Sequence, residues 1–151
     1  MSLKLNDFDR SALTGFDSPL TFADLRAAGH KGPPDEMGVY AVLYPFEERP
    51  RFLTAGSGGF FKGKDPNVAV TELGSRWVGD SRILYFGKAG GPGVSATLRD
   101  RIRAFSRFGE GKVVGHYGGR LIWQIGELEF WPHISAETLS QLDVPELLPD
   151  R

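Results

Sequence analysis

Residues 82–108 read as strand, glycine-rich turn and helix, and this run constrains the fold more than any other stretch of the chain. Ile83, Leu84, Tyr85 and Phe86 form a short apolar, aromatic run ending at Gly87, as a buried strand does. Gly87, Gly90, Gly91 and Gly93, with Pro92 among them, make the following turn loose and uncrowded. Ser95 or Thr97 can then cap a helix over 96–107, on which Leu98, Ile102 and Phe105 recur at the spacing of one face.

The arginines of that helix separate into two groups. At about 100° per residue, Arg99, Arg103 and Arg107 make a polar stripe, whereas Arg101 falls on the flank of the apolar face beside Phe105. A guanidinium held against a packed face keeps its charge and needs a carboxylate, a phosphate or an aromatic partner. Equally, its stem can cover the core while its head reaches water, so both readings stay open. The stripe, with Lys112 at the helix exit, is either a solvated face or a set of phosphate contacts. Lys62 and Lys64 form a second local basic patch in a glycine-rich loop. The net charge of -1 and pI near 6.3 exclude a global basic field, so any nucleic-acid contact must be local.

Gly38-Val39-Tyr40, then Tyr85-Phe86-Gly87-Lys88-Ala89, then Leu98-Arg99-Asp100-Arg101-Ile102 resemble the GIY-YIG nuclease superfamily, whose motifs are two short tyrosine strands and a helical arginine. Val stands for Ile in the first motif and Phe for Ile in the second. Lys88-Ala89 also resembles the nicking subunit of bacterial nucleotide excision repair. The likeness covers about residues 38–131, and His116, Gly118-Gly119-Arg120 and Trp123-Gln124 resemble a bacterial subgroup with an insertion between the tyrosine motifs.

The resemblance implies a metal-dependent endonuclease that hydrolyses DNA phosphodiester bonds. Tyr40 would activate the attacking water, Tyr85 would position it, and Arg101 would stabilise charge developing on the phosphate. A phenol ionises near about pH 10, so Tyr40 in that role needs a cation, and Lys88 is the one available. Arg99, Arg103, Arg107 and Lys112 would hold the nucleic acid. Mg²⁺ or Mn²⁺ would sit on a glutamate of a later helix. Two residues qualify: Glu137, on a short helix expected over 135–142, or Glu146, beyond Pro145. Residues 41–84 between the two tyrosines far exceed the short hairpin of the superfamily, which is a departure from its pattern.

Two competing functions remain. One is a catalytically degenerate domain of the same fold, binding nucleic acid or protein through its arginine face. The other is a small-ligand protein using residues 87–93 as an anion cradle, although the full phosphate-loop or dinucleotide pattern is missing.

The rest of the chain supplies the scaffold. A length of 151 residues, with 40% hydrophobic and 25% charged residues, predicts one globular domain over 1–151. Residues 1–17 read as irregular, and 45–80 as an insertion carrying a short strand or flap near Phe52-Leu53 and a short helix over 67–77. Thr21 with Asp24 predicts the start of a short helix that Gly29 stops. Residues 38–44 read as a strand, and 121–125 and 128–131 as two late strands. The absence of cysteine excludes disulfides and thiolate chemistry, and His30, His116 and His133 lack metal-ligand spacing. No signal-peptide core or bilayer-length apolar run is visible, which predicts a cytoplasmic protein without a membrane partner. The expected fold is α/β: a small mixed, largely antiparallel GIY-YIG-like sheet flanked by helices.

Overall fold

The computed structural model describes residues 5–16, 20–44, 49–77, 79–115, 117–126 and 133–138, the last segment and 117–119 through their backbone. Four strands, β1 (Leu20–Thr21), β2 (Gly38–Leu43), β3 (Ile83–Ala89) and β4 (His133–Thr138), form one sheet in the order β1-β4-β2-β3. Each of its pairings is antiparallel. Among the described residues four α-helices accompany it: α1 (Asp7–Ala12), α2 (Phe22–Ala27), α3 (Val70–Arg76) and α4 (Leu98–Gly109). None of the described helices is long and apolar enough to cross a membrane.

The helix starts are written in the sequence. Thr21 accepts from the Asp24 amide while the Asp24 carboxylate accepts from the Thr21 amide, and Thr97 and Asp100 make the same reciprocal pair at α4. Such a box satisfies two of the amides that every helix start leaves without a partner inside the helix. The apolar face of α4, Leu98, Ile102, Phe105 and Phe108, is buried against the sheet and against α2. Phe105 gathers the core, with its ring centroid 5.5 Å from Phe22, 5.1 Å from Trp123 and 6.0 Å from Tyr85. Trp123 lies edge-on to Phe22 at 4.9 Å, tying the late part of the chain to α2.

Four segments differ from the sequence expectation. Residues 7–12, read as irregular, form α1: Asn6 caps it, and buried Asp9 accepts from the Ser81 hydroxyl at 2.6 Å and the Arg82 amide at 3.0 Å. A helix of only six residues leaves too little periodicity to be read, and its anchor lies more than seventy residues away. Residues 121–125, read as a strand, lie mostly in a 3₁₀ helix, Tyr117–Gln124, and only Ile125 bridges to Phe52. Ile122, Trp123, Gln124 and Ile125 are all buried. A half-buried strand cannot bury four consecutive side chains, whereas a tight helical turn can be enclosed on every side.

The other two differences concern the proposed chemistry. Residues 133–138 are β4, so Glu137 lies on a strand and not on the expected helix; pairing on both sides overrides the local helix preference. The second tyrosine strand continues past Gly87 to Ala89, and the turn is correspondingly shorter, with positive φ at Gly90, Gly91 and Gly93. The predicted strand over 128–131 and the remainder of the predicted helix over 135–142 lie outside the described residues.

Candidate functional site

The two tyrosine motifs meet across β2 and β3. In the antiparallel register Tyr40 stands opposite Gly87, and Val42 opposite Tyr85. Residues directly opposite share a face, so both tyrosines point to the side covered by α4. Their ring centroids are 6.1 Å apart, and Phe105 lies 6.3 Å from Tyr40. Gly87 is required for this arrangement: a β-carbon there would run into the Tyr40 ring and its hydroxyl. The second motif therefore ends in glycine because the first tyrosine occupies its side-chain space.

Exposure distinguishes the two phenols. Tyr40 is only 1% exposed and belongs to the core, whereas Tyr85 is half-buried. Of the pair, Tyr85 is the one a ligand can reach directly.

Lys88 stands opposite Val39, one residue out of phase with Gly87. The pleat therefore places it on the face of β3 opposite the tyrosine pair, apart from the phenols it was expected to serve. Glu137 is likewise opposite Val39, and Ala136 is the residue paired with Tyr40. Glu146 and His116 lie outside the described residues. Among the described residues, no group of three His, Asp or Glu could hold a metal ion. Mg²⁺ is commonly held by only one or two carboxylates, with water and substrate phosphate completing its shell, so a single glutamate would be the protein's share of such a site.

The α4 cations have different surroundings. Arg101 is half-buried and donates from Nη1 to the Gly115 carbonyl at 3.4 Å, a long contact that, among the described residues, leaves most of its donor fork available to another partner. Arg99 instead joins α4 to the preceding loop, donating to the Pro33 carbonyl at 3.1 Å and the Lys31 carbonyl at 3.2 Å. Arg103 lies 3.7 Å from Asp100 as a surface ion pair, and Arg107 and Lys112 are exposed. Sequence reasoning grouped Arg99 with Arg103 and Arg107 by helical phase. Helical phase carries no information about loop 31–34, which packs along the same side.

That loop also bears on the anion-cradle reading. The Leu98 and Arg99 amides donate to the Glu36 and Pro34 carbonyls at 2.8 and 3.0 Å, and the Asp100 amide is taken by Thr97. The first amides of α4 are thus already engaged, leaving no open helix terminus for a phosphate.

No family model, curated protein or solved structure matches this chain.

The sequence did not disclose where the basic patch at Lys62 and Lys64 lies. Within the insertion, the Gly59 amide donates to the Phe108 carbonyl at 2.9 Å, laying residues 58–64 against the exit of α4. Lys62 and Lys64 are thereby brought to the same end of the molecule as Lys112. The glycines at 58 and 59 were the available signal, because closely approaching backbones need them.

Proposed function

We propose that this domain acts on nucleic-acid phosphodiester bonds, with Arg101 and Tyr85 facing the scissile phosphate. The observation that supports this reading most is the meeting of the motif tyrosines, distant in sequence, beneath the helix that carries the half-buried Arg101. A planar guanidinium offers paired donors to phosphate oxygens and stabilises the charge that accumulates on them during displacement. The Tyr85 hydroxyl can orient the attacking water. Tyr40, enclosed by Gly87 and Phe105, acts through Tyr85 by holding its ring in place. DNA is the substrate class that the GIY-YIG resemblance implies, and Mg²⁺ or Mn²⁺ belongs in the assay on the same ground.

A second reading has its own support. The burial of Tyr40 and the placement of Lys88 and Glu137 out of step with it favour a binding domain that retains the architecture without the chemistry.

Cleavage of single-stranded, duplex and branched DNA with Mg²⁺ or Mn²⁺ separates the two. For a nuclease, Arg101→Ala should reduce the rate by about 100-fold or more, as loss of a charge-stabilising donor does. Its melting temperature should stay near wild type, because among the described residues the guanidinium is held by a long contact to the Gly115 carbonyl. Cleavage that persists unchanged in this variant would rule out the mechanism. Salt-sensitive binding without cleavage would favour the degenerate domain.

A further inference from the structure

We infer that the turn at residues 58–64 is a contact surface for a single strand of nucleic acid, continuous with Arg101. This rests on the nucleic-acid reading above but not on catalysis.

The docking geometry comes first. A β-carbon on Gly58 would come within 2.8 Å of the Phe108 ring, and one on Gly59 would strike the Lys112 carbonyl. Two glycines therefore let the insertion lie flush against the end of α4. Next along the turn, Phe61 packs by Gly115, 3.6 Å from where a β-carbon there would sit. Gly115 is also the residue whose carbonyl receives Arg101. Turn, Gly115 and Arg101 thus form one uninterrupted surface.

What this surface presents is an aromatic ring with two lysines near it in the chain and a third beside the turn, and with the exposed carboxylates Asp65 and Glu110 at its margins. Phe60 is 54% exposed, Lys62 and Lys64 follow it, and Lys112 lies beside Gly59. Lys62 adopts a left-handed backbone, φ 55°, and places its ammonium 5.3 Å above the Phe61 ring. An exposed ring suits the face of a base, and the ammonium groups suit the phosphates that join bases. Complementarity of charge selects this occupant. A protein interface disfavours lysine at its centre, and here the exposed apolar residues Phe60 and Val113 have lysines as close neighbours in the chain. A base can lie on Phe60 only when it is unstacked, which selects a single strand over a duplex.

The test is fluorescence anisotropy on the full chain with labelled oligothymidylate, oligouridylate and duplex DNA, without divalent metal and over a range of salt. Phe60→Ala should weaken single-strand binding about 10-fold, within the range of one lost base stack. The Lys62→Ala/Lys112→Ala pair should reduce the slope of log affinity against log salt by about 1.4, or about 0.7 per phosphate contact. Phe8→Ala removes an exposed ring on α1 and should change neither quantity. Comparison of oligothymidylate with oligouridylate distinguishes DNA from RNA as the source of the strand.

Equal binding by Phe60→Ala and Phe8→Ala would overturn the inference, as would absence of binding by the wild type. If Arg101-dependent cleavage survives alongside the first result, the nuclease reading stands and this one falls. Phe60-dependent binding without any cleavage would have the reverse meaning. A concentration-dependent mass that Phe60→Ala abolishes, with nucleic-acid affinity unchanged, would reassign the turn to self-association. Melting curves for each variant confirm that the fold is retained.

Discussion

His30 shows how one side chain can link pH to the packing of two helices. It follows α2 with a left-handed backbone, φ 62°, and its Nε2 lies 3.0 Å from the Ser106 hydroxyl on α4. Arg26 donates to the same hydroxyl at 3.1 Å and pairs with Glu110 at 3.2 Å. Burial lowers the His30 pKa below its ordinary 6.5, and nearby Arg26, Arg103 and Arg107 act in the same direction against an upward pull from Glu110. The unfolded chain therefore takes up a proton at a pH where the native chain does not. This contribution to stability is complete above pH 6.5 and is lost as pH falls through 6.5 toward the native pKa. Denaturant titrations on either side of that value should show the wild type weakening on acidification. His30→Asn, which tolerates the left-handed backbone, should flatten the slope. The surface carboxylate Asp100 is also shifted downward, chiefly by the Thr97 amide, so its helix-capping contribution fails only at still lower pH.

At the scale of elements, a buried side-chain amide joins two stretches of the insertion to the late part of the chain. Gln124 is 1% exposed, and its Oε1 accepts from the Val68 amide at 2.7 Å. Its Nε2 donates to the Leu53 and Val68 carbonyls, each at 2.9 Å. Gln124→Leu would leave these part-buried backbone groups without that partner, at a cost of about 2 kcal/mol. Faster hydrogen exchange at Val68 and through α3 would check this, and unchanged exchange in α4 would show that the loss is local. Sequence reasoning located the strands at Tyr40 and Tyr85, the Thr21 cap and the arginine helix, because each depends on neighbours a few residues apart. It could not establish that Gln124 holds Val68, or that Arg99 holds Pro33, since these pairs are created by tertiary packing. The tyrosine pair was legible as motif and strand context, whereas the burial of Tyr40 depends on Phe105 and Gly87 closing around it.

For the whole molecule, the sheet order β1-β4-β2-β3 imposes a sequence of events on the growing chain. The strand made last among the four lies between two made early, so Leu20–Thr21 has no sheet partner and Gly38–Leu43 keeps one open edge until His133–Thr138 arrives. During synthesis the two tyrosine strands and the arginine helix can associate first, while the insertion between the strands still awaits Trp123, Gln124 and Ile125. Long-range closure then follows as a separate and slower step. Ribosome-stalled chains ending before residue 133 should be cleaved readily by protease around β1 and β2. Protection should rise abruptly once 133–138 clear the exit tunnel, and protection that grows evenly with chain length would contradict this order. A cell making this protein must therefore shield an unpaired β2 edge throughout the synthesis of the residues from 44 to 132, an interval in which chaperone contact or aggregation competes with folding.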